Sequence, residues 1–97
     1  MKRFVEVHYY IKDGKRDEFY KAIMENGIAA ASRAEEGNEK YDYYLSPENE
    51  NELLLIELWA SAEAVWDHSQ TSHFKELGEL KKAYVIDTSI MRYDVAD

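Results

Sequence analysis

Residues 53–74 read LLLIELWASAEAVWDHSQTSHF, and this stretch decides the fold. Its first seven residues are an apolar run of strand length that ends at Trp59, which predicts a buried strand. Ala60–Ser61 predicts a turn into a short helix over 61–68, and a second helix is expected over 72–82. We expect any functional site to lie at this strand-to-helix corner. Its candidate side chains are Glu57, Trp59, Trp66, His68 and His73.

The remaining segments predict three more strands and one long helix. Alternating β-branched and aromatic residues predict a strand over 3–11, and Asp13–Gly14 predicts the turn after it. A helix is expected over 16–34, with close packing or a kink at Gly27, since glycine inside a helix costs about 1 kcal/mol relative to alanine. Gly37 suits a left-handed helix cap. The other predicted strands are 39–45 and 88–94. The order β-α-β-β-α-β predicts an α+β, ferredoxin-like single domain over 1–97.

Charge and cysteine content restrict the function classes. A 97-residue chain with a net charge of −8 is not expected to bind nucleic acid, because phosphate contacts need clustered Lys and Arg. The chain has no cysteine, no apolar run that could span a membrane and no signal-peptide pattern, so we expect a cytoplasmic protein without membrane contact. The acidic segment 35–52 is interpreted as a solvated helix end and loop.

The predicted sheet is apolar on both faces. The 53–59 strand carries apolar residues on both of its faces. Two helices, however, can cover only one face of a four-stranded sheet. On the face opposite His8, the first strand carries Val5, Val7, Tyr9 and Ile11. We expect a second copy of the chain to cover that face. This predicts a homodimer with an interface on the order of 2,000 Å² or more.

Two motifs resemble the antibiotic biosynthesis monooxygenase family, and the resemblance extends over nearly the whole chain. One is E-x-W-x-S-x-E-A-x-x-x-H-x-x-x-x-H-F, from Glu57 to Phe74, and the other is SRAEEGN at 32–38, followed by Tyr41. The resemblance implies a dimeric α+β barrel with a pocket between sheet and helices. Many members of this family oxidise quinols or polycyclic phenols with molecular oxygen, without metal, flavin or haem. It therefore implies a small aromatic substrate and no cofactor.

Oxygenation without a cofactor makes a specific physical demand. The substrate must lose a proton to become an electron-rich phenolate or enolate, so the protein needs a base, donors for the anion and an apolar pocket. His68 is the candidate catalytic base or acid, because imidazole titrates near pH 7. Glu57 is the second catalytic candidate, and burial should raise its pKa unless a basic group pairs with it. The expected substrate-binding residues are Trp59, His8, Tyr10, Tyr43, Trp66, His73 and Arg33.

No metal site is expected. His68 and His73 are five residues apart, which would place them on different faces of one helix, and no close His/Glu spacing supports a ligand cluster. Each candidate also has a structural explanation. Trp59 can be a core residue, Glu57 can be a carboxylate that fixes a helix end, and the histidines can be packing or capping residues.

The subtypes of the family differ in their site residues. Of the residues of the polyketide-tailoring oxygenases, only Trp59 carries over, because Leu55 and Val65 stand where those enzymes have Asn and Tyr. In the haem-degrading branch, an Asn, a Trp and a His occupy the positions of Val7, His68 and Gly78, so haem degradation is not expected.

Two alternatives to a monooxygenase stay open. A branch that isomerises a phosphorylated autoinducer sugar shares Glu57, His68 and His73, although it has a His at the position of Ala29. The first alternative is therefore an isomerase of a small keto compound, phosphorylated or not, in which His68 and Glu57 move a proton between carbons. A phosphate would need a cation such as Arg33 or Lys75 at the pocket mouth. The second alternative is a non-catalytic dimeric module for ligand binding or stress response.

Overall fold

The computed structural model describes all residues from Met1 to Asp97, and it confirms the predicted α+β, ferredoxin-like fold. The strands form one antiparallel sheet in the order β2-β3-β1-β4. No helix has both the length and the apolar character needed to cross a membrane. The elements are, in chain order, β1 (Lys2–Ile11), α1 (Arg16–Glu25), α2 (Ile28–Arg33), β2 (Asn38–Leu45), β3 (Glu52–Trp59), α3 (Ala62–Ser69), α4 (Ser72–Tyr84) and β4 (Val85–Val95).

Two glycines with left-handed backbone lie at or near the places where the sequence predicts a kink and a cap. Gly27 has φ +69°, a left-handed conformation that side chains with a Cβ rarely adopt, and it separates α1 from α2. The kink is confirmed, whereas a single helix over 16–34 is wrong. Gly37 has φ +88°, a left-handed conformation, in the turn between α2 and β2. The expectation that it caps the helix is wrong, because α2 ends at Arg33 and its C-cap is Ala34. A Cβ at Gly37 would lie 2.8 Å from the Cβ of Ala64, so α3 packs directly on this turn.

The helices cover the sheet face that carries Val5. In the β1–β3 register Val5 lies opposite Glu57, and Val7 lies opposite Leu55, so these side chains share one face. They are buried together with Phe19 and other helix residues. The expectation that a second copy covers the Val5 face is therefore wrong, because the chain's own helices cover it. The face left open carries Phe4, Glu6, His8, Tyr10, Leu54, Ile56 and Leu58.

The last strand is longer than the sequence predicts. β4 begins at Val85, directly after α4 ends at Tyr84, instead of at residue 88. It pairs with β1 from Lys2 to Ile11, apart from an irregularity between Tyr10 and Ile11. This register places Arg92 opposite Val5, at the edge of the helix-covered face.

Candidate active site

A cavity of about 170 Å³ lies between the helix-covered face of the sheet and helices α3 and α4. Val5, Val7 and Tyr9 of β1 line one side of it, and Phe74 and Leu77 of α4 line another. In such apolar surroundings the interactions of a charged group are stronger than they are in water. Four acidic or basic side chains reach the cavity, and they come from four different elements: Glu57, His68, Lys81 and Arg92.

Glu57 is a buried carboxylate on the cavity wall, only 7% exposed. The indole Nε1–H of Trp59, two residues along the same strand face, donates a hydrogen bond of 2.9 Å to its Oε1. Burial raises the pKa of Glu57 from 4.5 to about 7, although the indole hydrogen bond and the positive charge of Arg92 oppose the increase. Glu57 therefore exchanges its proton near neutral pH and can act as a donor or an acceptor.

A break between two helices brings both histidines to one carboxylate. α3 ends at Ser69, and the Thr71 side chain caps α4 by accepting a hydrogen bond from the Phe74 N–H at 3.2 Å. Because the chain turns there, His68 in the last turn of α3 faces His73 in the first turn of α4, with ring centroids 5.8 Å apart. The argument from a continuous helix, that the two histidines point in different directions, is wrong.

Glu35 joins the two histidines. Its Oε2 lies 2.5 Å from Nδ1 of His68 and 2.7 Å from Nε2 of His73. When this carboxylate is ionised it only accepts, so each ring carries its proton on the nitrogen that faces Glu35. Nε2 of His68 is then left with a free lone pair and makes no hydrogen bond within the protein. An ionised Glu35 thus holds the His68 ring in the tautomer whose Nε2 can accept a proton.

Burial lowers the pKa of His68 below its usual value, while the hydrogen bond to Glu35 opposes this effect. His68 is 4% exposed and packs against Trp59, with ring centroids 4.7 Å apart. It is therefore a neutral imidazole at neutral pH, which is the form that accepts a proton. His68 and Glu57 place a proton acceptor and a proton donor on one cavity.

The Glu35–His68–His73 cluster also has the residue types of a metal site. Its ligand atoms lie within 4.8 Å of one another. Ligand atoms at about 2.1 Å from a zinc ion, however, lie about 3.0–3.4 Å from each other, whereas the two hydrogen-bond distances are 2.5 and 2.7 Å. In this arrangement protons occupy the space between the ligand atoms, and a metal would have to displace them and spread the side chains.

Four of the predicted site residues lie in or beside the cavity. Glu57 and His68 line it, Trp59 packs behind both, and His73 contacts Glu35. These four side chains lie close together in the structure.

The other predicted binding residues lie elsewhere. His8 and Tyr10 point to the open face because β1 alternates, and His8 there bridges Glu6 and Glu52 at 2.7 Å each. Trp66 is 65% exposed on the outer side of α3.

Arg33 and Tyr43 are also outside the cavity. Arg33 donates to the backbone oxygen of Tyr41 and lies 3.7 Å from Asp42. Tyr43 is packed against Tyr41 and Tyr20, and its buried hydroxyl has no partner. The structure does not bring either residue to Glu57 and His68.

Three residues of the site are missed by the sequence interpretation. The sequence places Glu35 in a solvated acidic segment, yet its carboxylate is largely buried between two histidines. Lys81 and Arg92 come from the end of α4 and from β4, where no motif marks them. The available signal for Glu35 was its place inside the SRAEEGN motif.

Comparison with known proteins identifies the family. Residues 3–80 match the family described as antibiotic biosynthesis monooxygenase. The chain belongs to this family. A relative from Bacillus subtilis (strain 168), named "Putative monooxygenase YcnE", is 32% identical over 71 residues, which are 73% of each chain.

Solved structures agree with this family fold. PA3566 from Pseudomonas aeruginosa has a TM-score of 0.85 at 22% identity, over 98% of this chain and 95% of that one. Rv0793 from Mycobacterium tuberculosis has a TM-score of 0.86 at 20% identity, over 100% of this chain and 97% of that one. At these identities the two structures show the fold alone, and the geometry of this chain must supply the chemistry.

Proposed function

We propose that the chain is a cofactor-independent monooxygenase that oxidises a small phenol or quinol with O₂. The observation that carries the proposal is the pairing of two groups on one apolar cavity. His68 presents an unprotonated Nε2, fixed by Glu35, and Glu57 holds a proton up to about pH 7. Family membership supports the same reaction class.

His68 starts the reaction by removing the phenolic proton. The resulting phenolate is electron-rich enough to pass one electron to O₂, and the phenoxyl radical and superoxide then combine through a new carbon–oxygen bond. Cleavage of the O–O bond leaves one oxygen on the ring as a carbonyl, and the other leaves as water. The substrate supplies all four electrons, so a phenol and O₂ give a quinone and one water. Neutral Glu57 then donates a hydrogen bond to the developing oxygen anion.

Oxygen uptake with isotope labelling tests this proposal. We expect wild-type protein to consume O₂ with small phenols and quinols and to place one ¹⁸O atom from ¹⁸O₂ in the product. His68→Gln and Glu57→Gln should each lower turnover by about 10²–10⁴-fold, the usual contribution of a positioned acid or base. Glu63→Gln, an exposed change on α3, is the control with unchanged turnover. Full activity in both site variants would remove them from the mechanism.

An isomerase is the second candidate, because the same acid and base can move a proton between neighbouring carbons of a keto compound. His68 would remove the proton and Glu57 would hold the enolate oxygen. Deuterium exchange into a keto substrate without oxygen uptake would favour the isomerase. Ligand binding without either reaction would favour a non-catalytic module.

We also propose that the chain forms a homodimer in which the open faces of two sheets pack together. This face carries half-buried or exposed apolar side chains from three strands, and no helix covers them. Burial of these side chains against a second copy would remove apolar surface from water. This would stabilise the dimer by about 25 cal/mol for each Å² buried. The side chains include Phe4, Leu54, Ile56, Leu58 and Tyr93. Sedimentation should give a dimer at micromolar concentration, and a well-folded single subunit would contradict it.

A further inference from the structure

Two cations at the cavity form no salt bridge. Lys81 and Arg92 both line it, and neither lies within 4.0 Å of a carboxylate. The chain has 20 Asp and Glu against 12 Lys and Arg, and seven of the other ten cations form such pairs. The paired cations are Lys2, Arg3, Lys15, Lys21, Arg33, Lys40 and Lys82.

The two cations lie beside the apolar part of the cavity. Nζ of Lys81 is 5.5 Å from the ring centroid of Tyr9, whose side chain lines the cavity. Arg92 lies opposite Val5 in the β1–β4 register, on the face that the cavity occupies. A ligand therefore meets apolar side chains and positive charge in the same space.

We propose that the substrate is a single aromatic ring that carries an anionic group, held by Lys81 and Arg92 while the ring enters the apolar cavity beside His68. This inference rests on the proposed function and adds the substrate class. The cavity of about 170 Å³ is close to the ~150 Å³ apolar cavity that accepts benzene in another protein. A cavity of this volume suits one aromatic ring with a small substituent.

The anionic group would also assist Glu57. The positive charge of Arg92 lowers the pKa of Glu57 and so favours its ionised form. An anion bound at Arg92 offsets this charge, so bound substrate would keep Glu57 in its protonated, donating form. Substrate binding and the protonation of Glu57 are then linked, and each favours the other.

Two kinds of anionic group on the aromatic ring would fit Lys81 and Arg92. One is a carboxylate and the other is a phosphate ester. Calorimetric titration of the full chain near neutral pH should compare 4-hydroxybenzoate, 4-hydroxyphenyl phosphate and neutral methyl 4-hydroxybenzoate. We expect at least one anion to bind about tenfold or more tightly than the neutral ester, a difference typical of a hydrogen bond to a charged group. The anion that binds more tightly identifies the group.

Charge-removing variants locate the contact. Lys81→Met and Arg92→Gln should each reduce the preference for the anion by about three- to tenfold. Lys75→Met is the matched control, because Lys75 also lies on α4 and has no ion pair but does not line the cavity. Its preference should stay unchanged. Equal affinity for all three ligands, or equal losses in all three variants, would overturn the inference.

Ligand binding and oxygen uptake test the anion site and the monooxygenase separately. Tight binding of an aromatic anion without oxygen uptake would support the anion site and reject the monooxygenase. Oxygen uptake with neutral phenols and no preference for anions would support the monooxygenase and reject the anion site. Binding is measured directly, so neither result depends on the other.

Discussion

Replacing Glu57 by Gln should make the protein's stability less dependent on pH. The folded protein holds the Glu57 proton up to about pH 7, whereas an exposed carboxyl loses it near 4.5. The folded state therefore binds more protons than the unfolded state between these values, and the free energy of unfolding falls as pH rises through this window. At about 1.36 kcal/mol for each pH unit, the carboxylate costs about 3 kcal/mol above pH 7.

Glutamine isolates this effect. It has a similar shape and can still accept the hydrogen bond of the Trp59 indole, but it does not ionise. Wild type and Glu57→Gln should therefore differ least near about pH 5, and the variant should gain about 3 kcal/mol relative to wild type by about pH 8. Urea unfolding followed by circular dichroism measures this difference. Protein concentration must be fixed, because dimer dissociation would add its own concentration dependence.

Glu63→Gln is the control for the removal of one negative charge. Glu63 is exposed in the first turn of α3, so its substitution should leave the pH dependence of wild type nearly intact. Parallel stability curves for wild type and Glu57→Gln would refute the reasoning. They would mean that Glu57 is ionised at pH 5 in the folded protein and that its burial does not govern its proton.

Three further substitutions test the turn, the cavity helix and the histidine cluster. Gly37→Ala should destabilise the fold by about 1–3 kcal/mol in urea unfolding, because the left-handed backbone is strained and the new Cβ meets Ala64; an unchanged midpoint would argue against that packing. Gly78→Ala should instead stabilise α4 by up to about 1 kcal/mol, since its Cβ meets no atom, and a loss of stability would contradict this. Glu35→Gln should lower the pKa of His68 further by removing the carboxylate that supports its charged form; an NMR titration midpoint that rises or stays unchanged would contradict the contact.

The order and type of the elements could be predicted because each depends on local pattern. The apolar run 53–59, the alternation in 3–11 and the two left-handed glycines carry the information within a few residues. The covered face of the sheet could not be predicted in the same way. β3 is apolar on both faces, and alternation alone separates two sets of side chains without stating which set meets the helices.

The site was predictable only in part, for a similar reason. Glu57, Trp59 and His68 follow one another along the chain, so their proximity is local. The approach of His73 depends on the break before α4, and that of Glu35 depends on a turn between α2 and β2. A spacing rule for one continuous helix fails when the helix ends between the two residues. Lys81 and Arg92 line the same cavity only because α4 and β4 come together in the fold.

Departures from ordinary folding preferences are concentrated on one cavity. Gly78 lies in the interior of α4, where alanine would be about 1 kcal/mol better. Glu57 interrupts an apolar strand and costs about 3 kcal/mol when ionised. Both costs are large beside a total stability of about 5–15 kcal/mol for a small domain. The space beside Gly78, the proton on Glu57 and the unpaired charges of Lys81 and Arg92 all face the same volume. Packing alone would favour filling that volume with apolar side chains, so its composition points to a ligand.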